Sequence, residues 1–178
     1  MRIEGLLLAA GAGRRRGLPK ALVPGALTGA IEALTAGGCD RVTVVLGAAA
    51  DRARPLVPAG VGVVKTADWA DGMSASLRAG LAATTGEVVV VHSVDLPDVG
   101  PDVVRRLLAH AGPEALARAV YDGVPGHPVL FGRRHVGPAA ASATGDRGAR
   151  GYLASTTVRA VECGDLASGV DVDLPPAE

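Results

Sequence analysis

The densest chemistry in the sequence lies between Leu8 and Lys20, where Leu8-Ala9-Ala10-Gly11-Ala12-Gly13 runs into Arg14, Arg15 and Arg16 and then, past Gly17-Leu18-Pro19, into Lys20. Small residues let backbone N–H groups approach phosphate oxygens with no bulky side chain between them. Arg14 and Lys20 add cations that neutralise charge where a bridging bond breaks. That combination suits a triphosphate. Two common phosphate loops do not fit it: a dinucleotide loop needs a third glycine where Arg16 stands, and a Walker loop needs G-K-[ST], whereas Lys20 sits between Pro19 and Ala21. A second point of interest is Asp95, which follows the run Glu87 to Val91 within Ser93-Val94-Asp95-Leu96-Pro97. Asp171 and Asp173 alternate around Val172, so on an extended segment both carboxylates share one face.

Those groups need a frame. Ile3 to Ala9 is a short apolar run ending in glycine, the pattern of a buried first strand feeding a loop. Arg41 to Leu46, Gly60 to Lys65 and Glu87 to Val91 read as further strands. Helices are expected over Ala30 to Gly37, stopped by Gly37-Gly38, over Ser74 to Ala83, and from Pro101 through about His110. Leu116 to Tyr121 and Pro128 to Phe131 flank Asp122-Gly123, a hairpin-like excursion from an otherwise alternating order. Alternation of this kind implies right-handed βαβ units with ligands at the carboxyl ends of the strands, where both the glycine loop and Asp95 fall.

Composition narrows the class. At 178 residues and 48% hydrophobic content the chain can enclose one core but hardly two, so a single domain over residues 1–178 is expected. With one Trp, two Tyr and one Phe, that core must be built from Val, Leu and Ala, which favours an α/β fold. Lys plus Arg and Asp plus Glu balance at 18 each, so no long-range field directs the protein to nucleic acid or an anionic membrane. Cys39 and Cys163 form no metal-binding pair and point to inert buried thiols in a reducing cytoplasm. No segment approaches a membrane span, and the run before the Arg cluster is too short for a secretion signal.

The run Leu8 to Lys20, together with Trp69-Ala70-Asp71-Gly72-Met73-Ser74-Ala75-Ser76, Asp95-Leu96-Pro97, Gly126-His127-Pro128-Val129, Gly145-Asp146-Arg147-Gly148-Ala149-Arg150 and Asp171-Val172-Asp173-Leu174-Pro175, resembles the MobA-like nucleotidyltransferases. The resemblance is to the molybdenum cofactor cytidylyltransferase branch in particular. It implies a three-layer Rossmann-like nucleotide-diphospho-sugar transferase fold with a mostly parallel sheet, and Mg2+-dependent transfer of CMP from CTP to a phosphorylated acceptor such as the molybdenum cofactor. CTP is favoured over GTP because Leu8-Ala9-Ala10-Gly11 carries Ala at the position where the guanylyl branch carries a second Gly.

By the same resemblance, Leu8, Ala9, Ala10, Gly11, Ala12 and Gly13 hold the nucleotide, while Arg14 and Lys20 serve the phosphates. Gly72 and Ser76 meet the base, although a glycine turn and a helix-start serine explain them as well. Asp95 and Asp173 hold the metal, against the plainer readings of a turn aspartate and a solvated tail. His127 and Arg147 position the acceptor, with Arg150 a further candidate and a solvated turn or helix face the alternative. Arg16 stands where the family usually has Met, and Val23 to Ala30 is shorter than the usual segment. An anionic phosphate nucleophile needs no strong general base, which agrees with the lack of any nucleophile–histidine–acid constellation. The expected protein is a monomer or small homo-oligomer. Other expectations left open are transfer from GTP or UTP to another phosphorylated metabolite, and a noncatalytic nucleotide-binding module.

Overall fold

The structure, a computed structural model, describes residues 1–171. Seven strands form one sheet in the order β3-β2-β1-β4-β6-β5-β7. They are β1 (Ile3–Ala9), β2 (Arg41–Leu46), β3 (Gly62–Lys65), β4 (Val88–Ser93), β5 (Leu116–Tyr121), β6 (Val124–Gly132) and β7 (Arg159–Glu162). β1 to β4 run parallel; β6 runs antiparallel to both β4 and β5, and β7 returns parallel to β5. The sheet is therefore mostly parallel, with an antiparallel excursion where the Asp122-Gly123 signal placed it. Asp122 (φ 51°) and Gly123 (φ 79°) both take the left-handed conformation that a tight two-residue hairpin turn requires.

Helices cover both faces. α1 (Ala26–Gly37) and α4 (Pro101–Leu108) pack on one side with Leu7, Val44, Val88 and Val90; α3 (Met73–Ala82) and α5 (Arg133–Ser142) pack on the other with Leu6, Leu8, Val89 and Val91. Two short helices, α2 (Ala50–Ala53) and α6 (Arg150–Ser155), complete the set among the described residues. Because side chains alternate along a strand, a run of four valines fills both cores at once, and Val88, Val89, Val90 and Val91 are all buried.

Several boundaries differ from the sequence expectation. α1 begins at Ala26, four residues before Ala30, because Leu27 joins Ile31 and Leu34 on one buried stripe despite the nearby Gly29. β4 continues through His92 and Ser93, two polar residues that the sheet nevertheless buries. β6 starts at Val124 instead of Pro128. α5, α6 and β7 were not expected: α5 contains Pro138 and small residues with little apolar periodicity, and β7 is a four-residue strand made by pairing with β5.

Candidate active site

Strand order reverses between β1 and β4, so the loops leaving their carboxyl ends diverge and leave a crevice. The loop after β1 is held by its own backbone. Lys20 N–H donates to the Gly11 carbonyl at 3.1 Å and Arg16 N–H to that of Gly13 at 2.9 Å. Gly13 has φ +60°, and a Cβ there would lie 1.9 Å from the Leu18 carbonyl oxygen, so this turn closes only over glycine. Neighbouring loops are tied to the same strand end: Ala48 N–H donates to the Ala10 carbonyl at 3.0 Å and Val94 N–H to that of Leu8 at 3.2 Å.

A cleft of about 290 Å³ opens at this point. Of the residues expected to hold a nucleotide, Leu8, Ala10, Gly11, Ala12, Gly13, Arg14, Lys20, Gly72 and Ser76 line it, joined by Trp69, Ser93 and Asp146. Ala9 does not; it is buried in the core on the α1 face. Gly72 (φ +106°) lets another segment come close, because a Cβ there would stand 2.5 Å from Asp146 Oδ1 and 2.7 Å from the Gly145 carbonyl. Gly148 N–H then donates to Ser74 Oγ at 3.1 Å, fastening the 145–148 turn to the start of α3. Asp146 and Ser93 gave no sequence signal of their own, since each lies in a motif whose other members drew attention.

Across the crevice, Lys20 Nζ forms an ion pair with Asp95 Oδ2, and Ser93 Oγ donates to Asp95 Oδ1 at 2.5 Å. Burial by itself would raise the Asp95 pKa, but the hydrogen bonds from Lys20 and Ser93 together outweigh it and hold the carboxyl below its ordinary range. The carboxylate faces a hollow shared with Arg16 and Leu96 and is not in the lining of the first cleft. As a metal ligand it offers one hard oxygen. Among the described residues no three His, Cys, Asp or Glu side chains gather, and a carboxylate oxygen is the kind of donor that hard divalent cations take. Asp173, the other expected metal ligand, lies outside the described residues; Asp171 is exposed.

A second cavity, of about 370 Å³, shares Leu8 and Met73 with the first. His127 and Arg147, the residues expected to position an acceptor, line it together with Arg150 and Arg118. Arg118 was missed by the sequence reading: its only signal is a cation in the apolar strand Leu116–Tyr121. His127 has a buried Nδ1 without a hydrogen-bond partner, and burial chiefly pushes its pKa down, so the ring is neutral at neutral pH. His92, fully buried in β4 with both ring nitrogens unpartnered, is pushed down to about 3 by the same cause and by His127.

Comparisons with known proteins agree on one family. The MobA-like NTP transferase domain matches residues 5–161. The chain is 36% identical to nicotine blue oxidoreductase of Paenarthrobacter nicotinovorans over 96% of its length and 92% of the relative's. It is 34% identical to molybdenum cofactor guanylyltransferase of Rhodobacter capsulatus over 76% of its length and 66% of that protein's. Rv0371c of Mycobacterium tuberculosis H37Rv superposes with a TM-score of 0.84 at 31% identity, covering 97% of this chain and 93% of that one. A structure of Rv0371c in complex with manganese gives 0.81 at 28% identity, over 97% and 94%. These matches establish that the chain belongs to the MobA-like NTP transferase family.

Proposed function

We propose that residues 1–178 form one nucleotidyltransferase domain that transfers CMP from CTP to a phosphorylated acceptor, such as the molybdenum cofactor, and releases pyrophosphate in the cytoplasm. The observation that carries this reading is the meeting of Lys20 with Asp95 at the point where strand order reverses, directly beside the small-residue loop. There an α-phosphate can lie between a cationic loop and a carboxylate-bound divalent ion. Support for CTP is Ala10 in Leu8-Ala9-Ala10-Gly11; the guanylyltransferase relative makes GTP the alternative. Support for a divalent ion is the hard carboxylate of Asp95 beside the loop and the manganese carried by Rv0371c.

In this reaction an acceptor phosphate oxygen attacks the α-phosphorus of CTP in line. A new P–O bond forms as the bond to the β-phosphate oxygen breaks, and its electron pair leaves with pyrophosphate. No proton need be removed from the anionic nucleophile. Arg14 and Lys20 neutralise the leaving pyrophosphate, the loop N–H groups orient the chain of phosphates, and Gly72 and Ser76 meet the base. Asp95, with Asp173, would hold magnesium, which supplies positive charge to the phosphate oxygens. His127 and Arg147 position the acceptor in the second cavity.

The test is pyrophosphate release across the four NTPs and a panel of phosphorylated acceptors, with magnesium and with chelator. Metal-dependent release that is fastest with CTP is the expected result. Release with GTP or UTP only would overturn the nucleotide assignment, and tight CTP binding with no product from any acceptor would make the protein a binding module. The name of nicotine blue oxidoreductase calls for one more arm, oxidation of NADH or NADPH. With Arg16 at the place of the third glycine, no oxidation is expected.

A further inference from the structure

The second cavity has an unusual electrostatic character. Arg118, Arg147 and Arg150 line it, and no Asp or Glu among the described residues does. None of the three arginines forms an ion pair with a described carboxylate. Arg147 and Arg150 are exposed at the rim, whereas Arg118 is half-buried. It stands opposite Val129 across the β5–β6 pair, so it projects on the same sheet face as Leu116 and Phe131, the face that carries α3 and α5. Its Nε and Nη2 donate to the Gly126 carbonyl at 3.4 and 3.2 Å. That anchor fixes the guanidinium plane while engaging two of its five N–H donors.

Burial, and then the like charge of Arg150, both act against the Arg118 cation. Three guanidinium groups facing one cavity without a carboxylate repel one another, and an anion entering between them relieves that repulsion. His127 is the other polar side chain of the wall, its buried Nδ1 unpartnered; the remaining side chains are apolar, with Leu77, Val91 and Val129 beside the shared Leu8 and Met73. The ligand must therefore be strongly anionic at one end and apolar or flat at the other. A carboxylate brings a single charge, whereas a phosphomonoester brings nearly two and three acceptor oxygens that match forked guanidinium donors.

We propose that Arg118 grips the acceptor's phosphate in the second cavity and selects phosphomonoesters of an apolar or ring-bearing alcohol over carboxylates and neutral alcohols. This rests on the nucleotidyl-transfer reading, and it adds the residue that would grip the phosphorylated acceptor named there. Arg118 is thus an acceptor-specificity residue; the bond to Gly126 only holds it in place.

Calorimetric titration with phenyl phosphate, benzoate and phenol tests the proposal, each run with and without α,β-methylene CTP bound, on wild type, Arg118→Met and Arg118→Lys. Wild type is expected to bind phenyl phosphate at least tenfold more tightly than benzoate, and phenol not measurably. Arg118→Met should weaken phenyl phosphate at least tenfold while leaving the affinity for the CTP analogue and the Tm unchanged, and Arg118→Lys should recover part of the loss. Equal affinity of wild type for phenyl phosphate and benzoate overturns the proposal, as does unchanged binding in Arg118→Met. Parallel loss of both ligands with a lowered Tm assigns Arg118 a structural role and overturns it too. If wild type fails to bind the CTP analogue, the assignment of CTP falls, while the titrations without nucleotide still decide whether Arg118 holds a phosphate.

Discussion

Lys20 and Asp95 come from loops 75 residues apart in sequence, and their partly buried pair puts opposite charges where a triphosphate and its metal would lie. Asp95→Asn keeps the shape of the side chain and removes its charge. It is expected to lower metal-dependent pyrophosphate release at least 100-fold, on the order of 3 kcal/mol in the barrier, with an unchanged circular dichroism spectrum. Near-normal turnover in that variant would remove Asp95 from the metal site. Lys20→Met leaves the carboxylate without its cation and should cost about 1–3 kcal/mol of stability in urea unfolding, as well as weaken CTP binding. The sign of the pH dependence follows from the depressed Asp95 pKa. The pair's contribution is present above the ordinary carboxyl value of 3.8 and is lost as pH falls through the lower folded value, so wild type and Lys20→Met should converge in stability only below about pH 4.

At the level of elements, the turn at 145–148 and the start of α3 form one wall of the cleft proposed to take the nucleotide, and they meet at Gly72. Gly72→Ala introduces a Cβ into backbone only 2.7 Å away, at a φ of +106° that an L-residue resists. The turn must lift from α3. A loss of about 1–3 kcal/mol in stability and a weaker affinity for CTP are expected together, read by urea unfolding and by calorimetry. A variant with wild-type affinity would show that Asp146 and its turn do not shape the nucleotide site. The β5–β6 pair has the matching role on the other side of Leu8 and Met73, carrying Arg118 and His127 to the second cavity.

For the whole molecule, the cost of burying polar groups sets its response to acid. His92 is fully buried with no hydrogen-bond partner; the unfolded chain takes up its proton near 6.5, but the folded chain only near 3. Between those values falling pH favours the unfolded state, by up to about 1.4 kcal/mol per pH unit. Urea unfolding from pH 7 to pH 4 should show this slope, reinforced by His127, and His92→Leu should make it shallower by the His92 share without loss of stability at pH 7. A slope of the same size in His92→Leu would assign the acid sensitivity to other groups. The alternating strands, the small-residue loop, the cations within it and the hairpin turn were all legible in the sequence, because each depends on local periodicity, on φ preference or on residues close along the chain. Tertiary structure alone decided that Lys20 meets Asp95, that the 145–148 turn rests on Gly72, and that Arg118, from a strand read only as one arm of a hairpin, joins Arg147 and Arg150 at one cavity. Those pairings join segments tens of residues apart, brought together by strand order and by which face of the sheet each side chain takes. Pattern along a single segment carries no information about either.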